Sequence, residues 1–290
     1  MHDRALITVA GQIGSGKTEV SREIARRTGW RMISAGGIVR RMAAEHGMSV
    51  LEFNEYAKTH ENVDREIDGY LAGLGDLAES LVIDSRLAWH FLPGALKVYL
   101  IVEDVTGAER VFRASRSDEN HASAATANVD NAERQRLERE RFMSLYSLNA
   151  EDWRNYDLVV DTSSSTPDEV TDVVMKRVVS GVDATLRPEC WLSPQRLVPA
   201  REVPPAVDTR GFDGAAVVDI VVHRGAFLIL HGHSQTSAAL RLGRPLVRCR
   251  VVAFESEEFA RASPSLSVVQ AWEVAHGFKR KSYPPWFQPA

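Results

Sequence analysis

Short apolar runs alternate with helix-like patterns through the first two thirds of the chain. Five runs carry apolar residues at consecutive positions, as strands buried on both faces of a sheet do. They are ALITVA (5–10), RMISAG (31–36), SLVIDS (80–85), ALKVYLIVE (95–103) and YDLVVDTS (156–163). Strands that alternate with helices predict an α/β fold in which a parallel sheet carries helices on both faces.

Helical patterns fill the intervals between these predicted strands. Helices are predicted from Lys17 to near Gly29 and within GIVRRMAAEHG, NVDREIDGYLAGLGDLAES and TPDEVTDVVMKRVV. Ser49 and Glu52 have the spacing of a capping box, which predicts that another helix begins there. The segment Ser115–Asn131 is polar, small and weakly patterned, so it is predicted to be mobile.

The last third of the chain is built differently. Ten of the 12 prolines follow residue 184, and the proline-rich stretch Arg187–Val207 marks the change. We therefore predict two domains, residues 1–183 and 184–290. In the second, VVDIVVHRGAFLILHGH predicts two strands joined by a turn at Arg224-Gly225, followed by a short helix (SQTSAALRLG) and a strand (PLVRCRVVAF). This pattern is typical of a small α+β module.

Composition narrows the class of protein. Hydrophobic residues make up 44% and charged residues 26%, as in globular proteins, and no apolar run reaches the roughly 18 residues of a membrane span. The start of the chain lacks the pattern of a signal peptide, so we expect a cytoplasmic protein without a membrane partner. The net charge of −4 does not favour specific nucleic-acid binding. Cys190 and Cys249 lack metal-ligand spacing and are interpreted as ordinary reduced thiols.

A phosphate-binding motif follows the first predicted strand. GQIGSGKT, Gly11–Thr18, matches G-x-x-x-x-G-K-[ST] between a strand and a helix. Its backbone N–H groups and the helix N-terminus attract phosphate, Lys17 reaches the β- and γ-oxygens, and Thr18 is a ligand for Mg²⁺. The predicted ATP·Mg²⁺ site consists of Gly11, Gly14, Ser15, Gly16, Lys17 and Thr18. The motif alone does not separate kinases from GTPases or motor ATPases.

A kinase also needs an acceptor pocket and a lid that supplies positive charge. Ser34 and Arg40 or Arg41 follow the second predicted strand, and Arg86 follows the third. The candidate lid contains Arg110, Arg113, Arg116, Arg134, Arg136, Arg139 and Arg141. Most of these arginines fit an exposed helix face of Glu-Arg pairs, and one or two that point into the cleft would be enough.

These residues together resemble cytidylate kinases, especially the compact archaeal type. The resemblance is carried in order by GSGKT, SAGGIVR, GMSVLEF, the Asp64–Asp68 pair, DSRLA, the ERERF helix that leads to Tyr146, and YDLVVDTS. It implies that Ser34, Arg40, Asp68 and Arg86 bind a nucleoside monophosphate. It also implies that lid arginines polarise the transferring phosphoryl group, with Arg110, Arg113 and Arg141 as the nearest matches.

Two segments depart from the family pattern. Where the family has Glu-Gly-Arg followed by Ala-Gly, this chain has Asp84-Ser85-Arg86-Leu87-Ala88-Trp89. Trp89 either reshapes the acceptor pocket or packs outside it. The family's Tyr-Gly-Ile-Asp is here Tyr146-Ser147-Leu148-Asn149. The acceptor is therefore not fixed as plain CMP.

The last third resembles the ParB/sulfiredoxin-like fold. The resemblance rests on LILHGHSQTSAALRLG, where the family has Gly-His-x-Arg at the start of a helix and uses it to bind nucleotide phosphate. Gln235 replaces the family's arginine, so a second nucleotide site is not implied. His231 and His233 are either phosphate contacts or structural residues.

Three functions remain open from the sequence. The first is ATP-dependent phosphoryl transfer to a nucleoside monophosphate, CMP- or dCMP-like or a modified analogue. The second is phosphorylation of a hydroxyl on a nucleoside or specialised metabolite, which needs a base, and Asp84 is the best-placed candidate. The third is a nucleotide-sensing regulatory protein. The oligomeric state is left open.

Overall fold

The computed structural model describes residues 4–49, 52–53, 56, 60, 62–114, 124–180, 188–199, 209, 212, 216–223 and 226–254. The chain forms two compact units, Met1–Val182 and Asp183–Ala290. Within the described residues, no helix is both long enough and apolar enough to cross a membrane.

The first unit contains a parallel sheet. Its strands are β1 (Leu6–Gly11), β2 (Arg31–Ser34), β3 (Leu81–Asp84), β4 (Leu96–Ile101) and β5 (Leu158–Asp161). They lie in the order β2-β3-β1-β4-β5, and every pairing between neighbours is parallel. The α/β class and the parallel sheet predicted from the sequence are confirmed. β3 and β4 lie on opposite sides of β1, so the strand order reverses at β1. Ligands of such open α/β sheets bind at the carboxyl ends of the strands where the order reverses.

Helices connect these strands. They are α1 (Lys17–Thr28), α2 (Ala35–Glu45), α3 (Asn62–Gly73), α4 (Ala88–Phe91), α5 (Asp104–Ala114), α6 (Ala124–Tyr146) and α7 (Pro167–Ser180). Short 3₁₀ turns follow α3 at Leu74–Asp76 and precede β5 at Trp153–Asn155. The capping box is confirmed: the Ser49 backbone N–H donates to Glu52 Oε2 (2.8 Å), and the Glu52 N–H donates to Ser49 Oγ (3.2 Å).

Both faces of the sheet are covered, which explains its continuous apolar strands. Leu81, Val82 and Ile83 of β3 are all fully buried. Leu81 and Ile83 belong to a core cluster with residues of α2, α3 and α4. On alternate positions Val82 faces the other side, where α1 contacts β3 and packs against α7.

One predicted segment differs from expectation. The part of the polar stretch 115–131 that the structure describes, residues 124–131, is the first two turns of α6. Thr126, Asn128 and Asp130 have low helix propensity, so the local sequence does not account for this start of α6, which packs as a whole against α5. The rest of that stretch, with Arg116, lies outside the described residues, as does the predicted turn at Arg224-Gly225.

The second unit contains a mixed sheet. Its strands are β6 (Glu189–Leu192), β7 (Leu197–Pro199), β8 (Val218–His223), β9 (Ala226–His231) and β10 (Val247–Phe254). They lie in the order β6-β10-β8-β9-β7, with parallel and antiparallel pairs alternating. One helix, α8 (His233–Arg241), follows β9. The predicted α+β character agrees with these elements, whereas the ParB/sulfiredoxin resemblance stays a prediction.

The two cysteines face each other in this second sheet. Cys190 of β6 is the register partner of Cys249 of β10, and both are fully buried free thiols. Burial raises the pKa of the Cys190 thiol well above its usual value. The pair therefore packs as small apolar side chains, in line with the interpretation from sequence.

Candidate active site

The glycine-rich turn between β1 and α1 has the geometry that its sequence predicts. Gly14 has φ +77°, and a Cβ on it would lie 2.3 Å from the Gly107 carbonyl oxygen, so only glycine fits there. Gly16 also has φ +77° and forms the N-cap of α1. Ser15 is buried, and among the described residues its hydroxyl has no hydrogen-bond partner. A turn that leaves a buried donor unpaired at a helix N-terminus is suited to an anion.

Lys17 is folded back over this turn. Its Nζ donates to the carbonyl oxygens of Gly11 and Gln12, at 3.1 Å each. Burial, followed by the nearby charge of Arg86, lowers its pKa to about 8, against the opposing effect of Asp84. The positive charge of the Lys17 amine is therefore only partly compensated by its surroundings. The negative charge of a bound polyphosphate would complete the compensation.

Thr18 and Asp84 meet at the ends of α1 and β3. The Thr18 hydroxyl donates to Asp84 Oδ2 at 2.6 Å, and Asp84 is 7% exposed. Sequence analysis gave these residues separate roles, as metal ligand and base. Their proximity could have been predicted from the position of Asp84 at the end of an apolar strand that pairs with β1. P-loop enzymes have a metal-binding carboxylate at this position.

A cleft of about 390 Å³ opens beside this pair. Residues of α2, α3, α6 and the turn after β3 line it, and its floor includes Lys17 and Asp84. The apolar part of the lining consists of Ile38, Val39, Ile67, Leu71, Leu87, Phe142 and Leu145. The charged part holds the cations Arg86, Arg134 and Arg141 and the acids Asp64 and Asp68. A lining that combines apolar side chains with cations suits a ligand that has a flat apolar part and an anionic part.

Asp64 and Asp68, two of the acids that line the cleft, are already paired. Arg141 Nη2 donates to Asp64 Oδ1 at 2.5 Å. The Tyr146 hydroxyl lies 3.1 Å from each carboxylate oxygen of Asp68. Burial raises the pKa of Asp68, and burial together with the Asp68 charge raises the pKa of Tyr146 to about 12. Tyr146 therefore stays protonated near neutral pH and donates to Asp68.

Arg86 is the most buried of the three arginines that line the cleft. Burial, followed by the neighbouring charge of Arg134, lowers its pKa to about 10. It forms an ion pair with Glu138 of α6, and Arg134 Nε lies 3.6 Å from Glu138 Oε1. The sequence places Arg134 in the candidate lid but not among the nearest matches to the family's lid arginines, although its spacing of seven from Arg141 puts both on one helix face.

Four other predicted residues lie outside this cleft lining. Arg110 donates to Thr162 Oγ1 (3.1 Å), the Thr162 carbonyl (2.7 Å) and, at 3.5 Å, the Gly14 carbonyl, so it braces the glycine-rich turn. Arg113 is exposed and pairs with Glu109 on its own helix. The Ser34 hydroxyl caps α2 by accepting the Gly37 N–H at 3.1 Å. Arg40 is exposed on α2.

Trp89 packs away from the cleft. It is 5% exposed, its Nε1 donates to the Arg86 carbonyl at 2.9 Å, and its ring lies 5.4 Å from that of Tyr156. Trp89 is absent from the cleft lining, so the second of its two interpretations agrees with the structure. Its contact with the Arg86 backbone supports the turn after β3 rather than filling the pocket.

In the second unit, the two candidate histidines differ in exposure. His231 is exposed at the end of β9, whereas His233 is buried in the first turn of α8. Gly232 between them has φ +99° and caps the helix. A phosphate contact at either histidine stays a prediction.

The similarities to known proteins cover residues of the first unit. The sequence model described as the cytidylate kinase-like family matches residues 6–164. A cytidylate kinase of Methanobrevibacter smithii is 32% identical over 170 residues, which cover 59% of this chain and 96% of that protein. An S-adenosylmethionine-dependent nucleotide dehydratase of Lacinutrix mariniflava is 34% identical over 171 residues, but these form 35% of its length. The crystal structure of an uncharacterized protein from Eubacterium ventriosum aligns over 61% of this chain and all of that chain, with a TM-score of 0.50 and 17% identity, which indicates a shared fold.

Proposed function

The chain belongs to the cytidylate kinase-like family, and from this premise we propose that it transfers the γ-phosphoryl group of ATP to a nucleoside monophosphate. The acceptor is CMP- or dCMP-like or a modified analogue. The family supports a phosphotransferase, and both relatives named above have names that refer to nucleotides. The observation that carries the proposal is the group of arginines beside the glycine-rich turn: Arg86, Arg134 and Arg141 line one cleft with Lys17.

The charge of the cleft favours an acceptor phosphate over an acceptor hydroxyl. A hydroxyl acceptor needs a base, and Asp84, the candidate base, already accepts a 2.6 Å hydrogen bond from Thr18. A phosphate acceptor is ionised before it reacts and needs cations instead. Arg86 and Arg134 both contact the carboxylate of Glu138, so an anionic phosphate at this end of the cleft would lie close to two cations.

The pair of Thr18 and Asp84 fits a magnesium ion. Mg²⁺ prefers oxygen ligands and keeps several waters, so one hydroxyl and one carboxylate beside substrate phosphates are a sufficient protein contribution. When bound there, the ion neutralises charge on the phosphate oxygens. The short distance between the two oxygens agrees with a site that is preassembled.

We assign the remaining roles by position. Lys17 leaves its carbonyl partners to contact the β- and γ-phosphates, and the free N–H groups of the turn hold the β-phosphate. Arg86 holds the acceptor phosphate, and Arg141 and Arg134 approach from α6 to compensate charge as it develops. The Asp68–Tyr146 pair provides polar contacts at the apolar end of the cleft for the nucleoside. Arg110 acts on the turn through Gly14 and Thr162.

An ATP-consumption assay over a panel of acceptors tests the proposal. The panel contains CMP, dCMP, UMP, nucleosides, and amino and sugar alcohols. We expect ADP release with a pyrimidine monophosphate and loss of turnover in Lys17→Ala, with Lys176→Ala as a matched control because Lys176 is exposed on α7 outside the cleft.

Each other outcome has a distinct meaning. Turnover with a nucleoside or alcohol but with no monophosphate would overturn the assignment of the acceptor. The absence of ADP release with every acceptor would favour the nucleotide-sensing role. Turnover that survives Lys17→Ala would show that the glycine-rich turn is not the catalytic site.

A further inference from the structure

Helix α6 presents one continuous stripe of side chains toward the cleft. Arg134, Glu138, Arg141, Phe142 and Leu145 recur at three- and four-residue spacing, which places them on one face of the helix. Four of them line the cleft, whereas Glu138, which lies between them on the same stripe, lines a smaller neighbouring pocket with Arg86 and Gly11. Arg86 lines both spaces, so Glu138 is an acid at the edge of the cationic region that we assign to the acceptor phosphate.

The partners of Glu138 make its position unusual. It forms an ion pair with Arg86, which follows β3, and lies 3.6 Å from Arg134 one helical turn away. The side chains of Arg86 and Glu138 are 25% and 27% exposed, so both are substantially withdrawn from water. A cation in such a place needs a counter-charge, and among the described residues Glu138 is the carboxylate in ion-pair contact with Arg86.

We propose that Glu138 is a built-in substitute for the acceptor phosphate, which the incoming phosphate displaces from Arg86. The inference rests on the proposed function, because it places the acceptor phosphate at Arg86. Two anions cannot share the Arg86 guanidinium without repulsion, so a phosphate dianion and the Glu138 carboxylate compete for it. Glu138 is a positioning residue, since it acts through Arg86 and Arg134.

Displacement has a consequence for the helix. While Glu138 is paired, α6 is tied to the turn after β3 beside the cleft. When the phosphate takes its place, this tie is released, while the Arg141–Asp64 pair still holds α6 against α3. Acceptor binding therefore changes one of the contacts that position the candidate lid helix.

Glu138→Gln tests the proposal, because it keeps the shape of the side chain and removes its charge. The matched control is Glu140→Gln on the same helix. Glu140 pairs with Arg136 at 2.5 Å, is 59% exposed, and leaves Arg136 its second partner, Glu133. Binding is measured by calorimetry without ATP, with inorganic phosphate, CMP and cytidine as the three probes.

The expected result is specific to phosphate. Glu138→Gln should bind inorganic phosphate and CMP about fivefold more tightly than the natural chain, the effect of removing a competing, partly exposed ion pair. Cytidine affinity should not change, and Glu140→Gln should match the natural chain with every probe. Because Glu138 also lines a pocket with Gly11 and Gln12 of the glycine-rich turn, all variants are compared in a Lys17→Met background, which removes the main phosphate-binding cation of that turn.

The contrary results separate the two proposals. Unchanged or weaker phosphate binding by Glu138→Gln, or an equal change for CMP and cytidine, would overturn the displacement and leave Glu138 a structural residue. If CMP binds no more tightly than inorganic phosphate to any variant, the proposed acceptor fails, while the phosphate arm still decides the role of Glu138.

Discussion

Lys17 provides a quantitative prediction, because the structure lowers its pKa to about 8 in the free protein. The shift from 10.5 corresponds to about 3 kcal/mol of disfavour for the charged amine, most of it from burial. The negative charge of a bound triphosphate raises the pKa of Lys17 again. A unit charge about 4 Å away is worth on the order of 4 kcal/mol in a partly buried site, or roughly three pKa units. We therefore expect Lys17 to be protonated in the nucleotide complex up to about pH 10.

The sign of the pH effect follows from these two pKa values. Above pH 8 the free protein has lost the Lys17 proton and the complex has regained it, so binding takes up a proton and weakens as pH rises. At pH 9 the uptake should approach about 0.9 proton per nucleotide, and at pH 7.5 about 0.2. The affinity for MgATP should fall by nearly tenfold per pH unit above pH 8.

Calorimetry of MgATP binding in buffers of different ionisation enthalpy measures the uptake directly. Lys17→Met is the control, since it keeps the length of the side chain and removes the titrating group. Its binding should be weaker and should show no uptake between pH 7.5 and 9. Uptake below about 0.3 proton in the natural chain at pH 9, or full uptake that persists in Lys17→Met, would refute the reasoning.

Two further predictions concern the ends of α6 and β3. Ser147 adopts φ +55°, a left-handed conformation that disfavours a side chain by about 1–2 kcal/mol, so Ser147→Gly should stabilise the chain by ~0.5–1 kcal/mol after the entropy of glycine is counted. Scanning calorimetry should show a melting temperature higher by about 1–4 °C, and an equal rise in Ser147→Ala would contradict this origin. Asp84→Asn should lower turnover about 100-fold or more and raise the Mg²⁺ concentration for half-maximal rate, measured by Mg²⁺ titration at fixed ATP. Lost turnover with an unchanged Mg²⁺ requirement would instead support Asp84 as the base.

The sequence predicted the first unit well because its signals are local. The five predicted strands correspond to β1 to β5, since four of them are apolar runs that the sheet buries on both faces, and β2, at the edge, is only partly buried. Gly16 and Gly29 mark the beginning and the end of α1, because both adopt a positive φ, where glycine is favoured. These signals depend on a few neighbouring residues and need no knowledge of distant contacts.

The second unit shows where local signals fail. β6 and β7 fall inside the proline-rich stretch that we interpreted as a boundary. Pro199 ends β7, a short strand paired only with β9 among the strands described, and an edge strand tolerates proline. β6 is held by its pairing with β10, about 57 residues later in the chain, and no local pattern announces such a partner.

The arginines of α6 explain why the candidate site could be predicted only in part. The sequence of α6 has many arginines among acids, which is typical both of a solvent-exposed charged helix face and of an arginine-rich lid. In the structure the two interpretations apply to different faces of the same helix. Arg136 pairs with Glu133 and Glu140 on the outer face, whereas Arg134 and Arg141 line the cleft. Helical spacing defines these stripes, but the stripe that faces inward is decided by Asp64 and Arg86, which contact α6 from elements distant in sequence. The charge pattern of α6 therefore predicts which chemical groups the helix carries, but not which of its faces points into the cleft. That orientation follows from the contacts of α6 with Asp64 and Arg86.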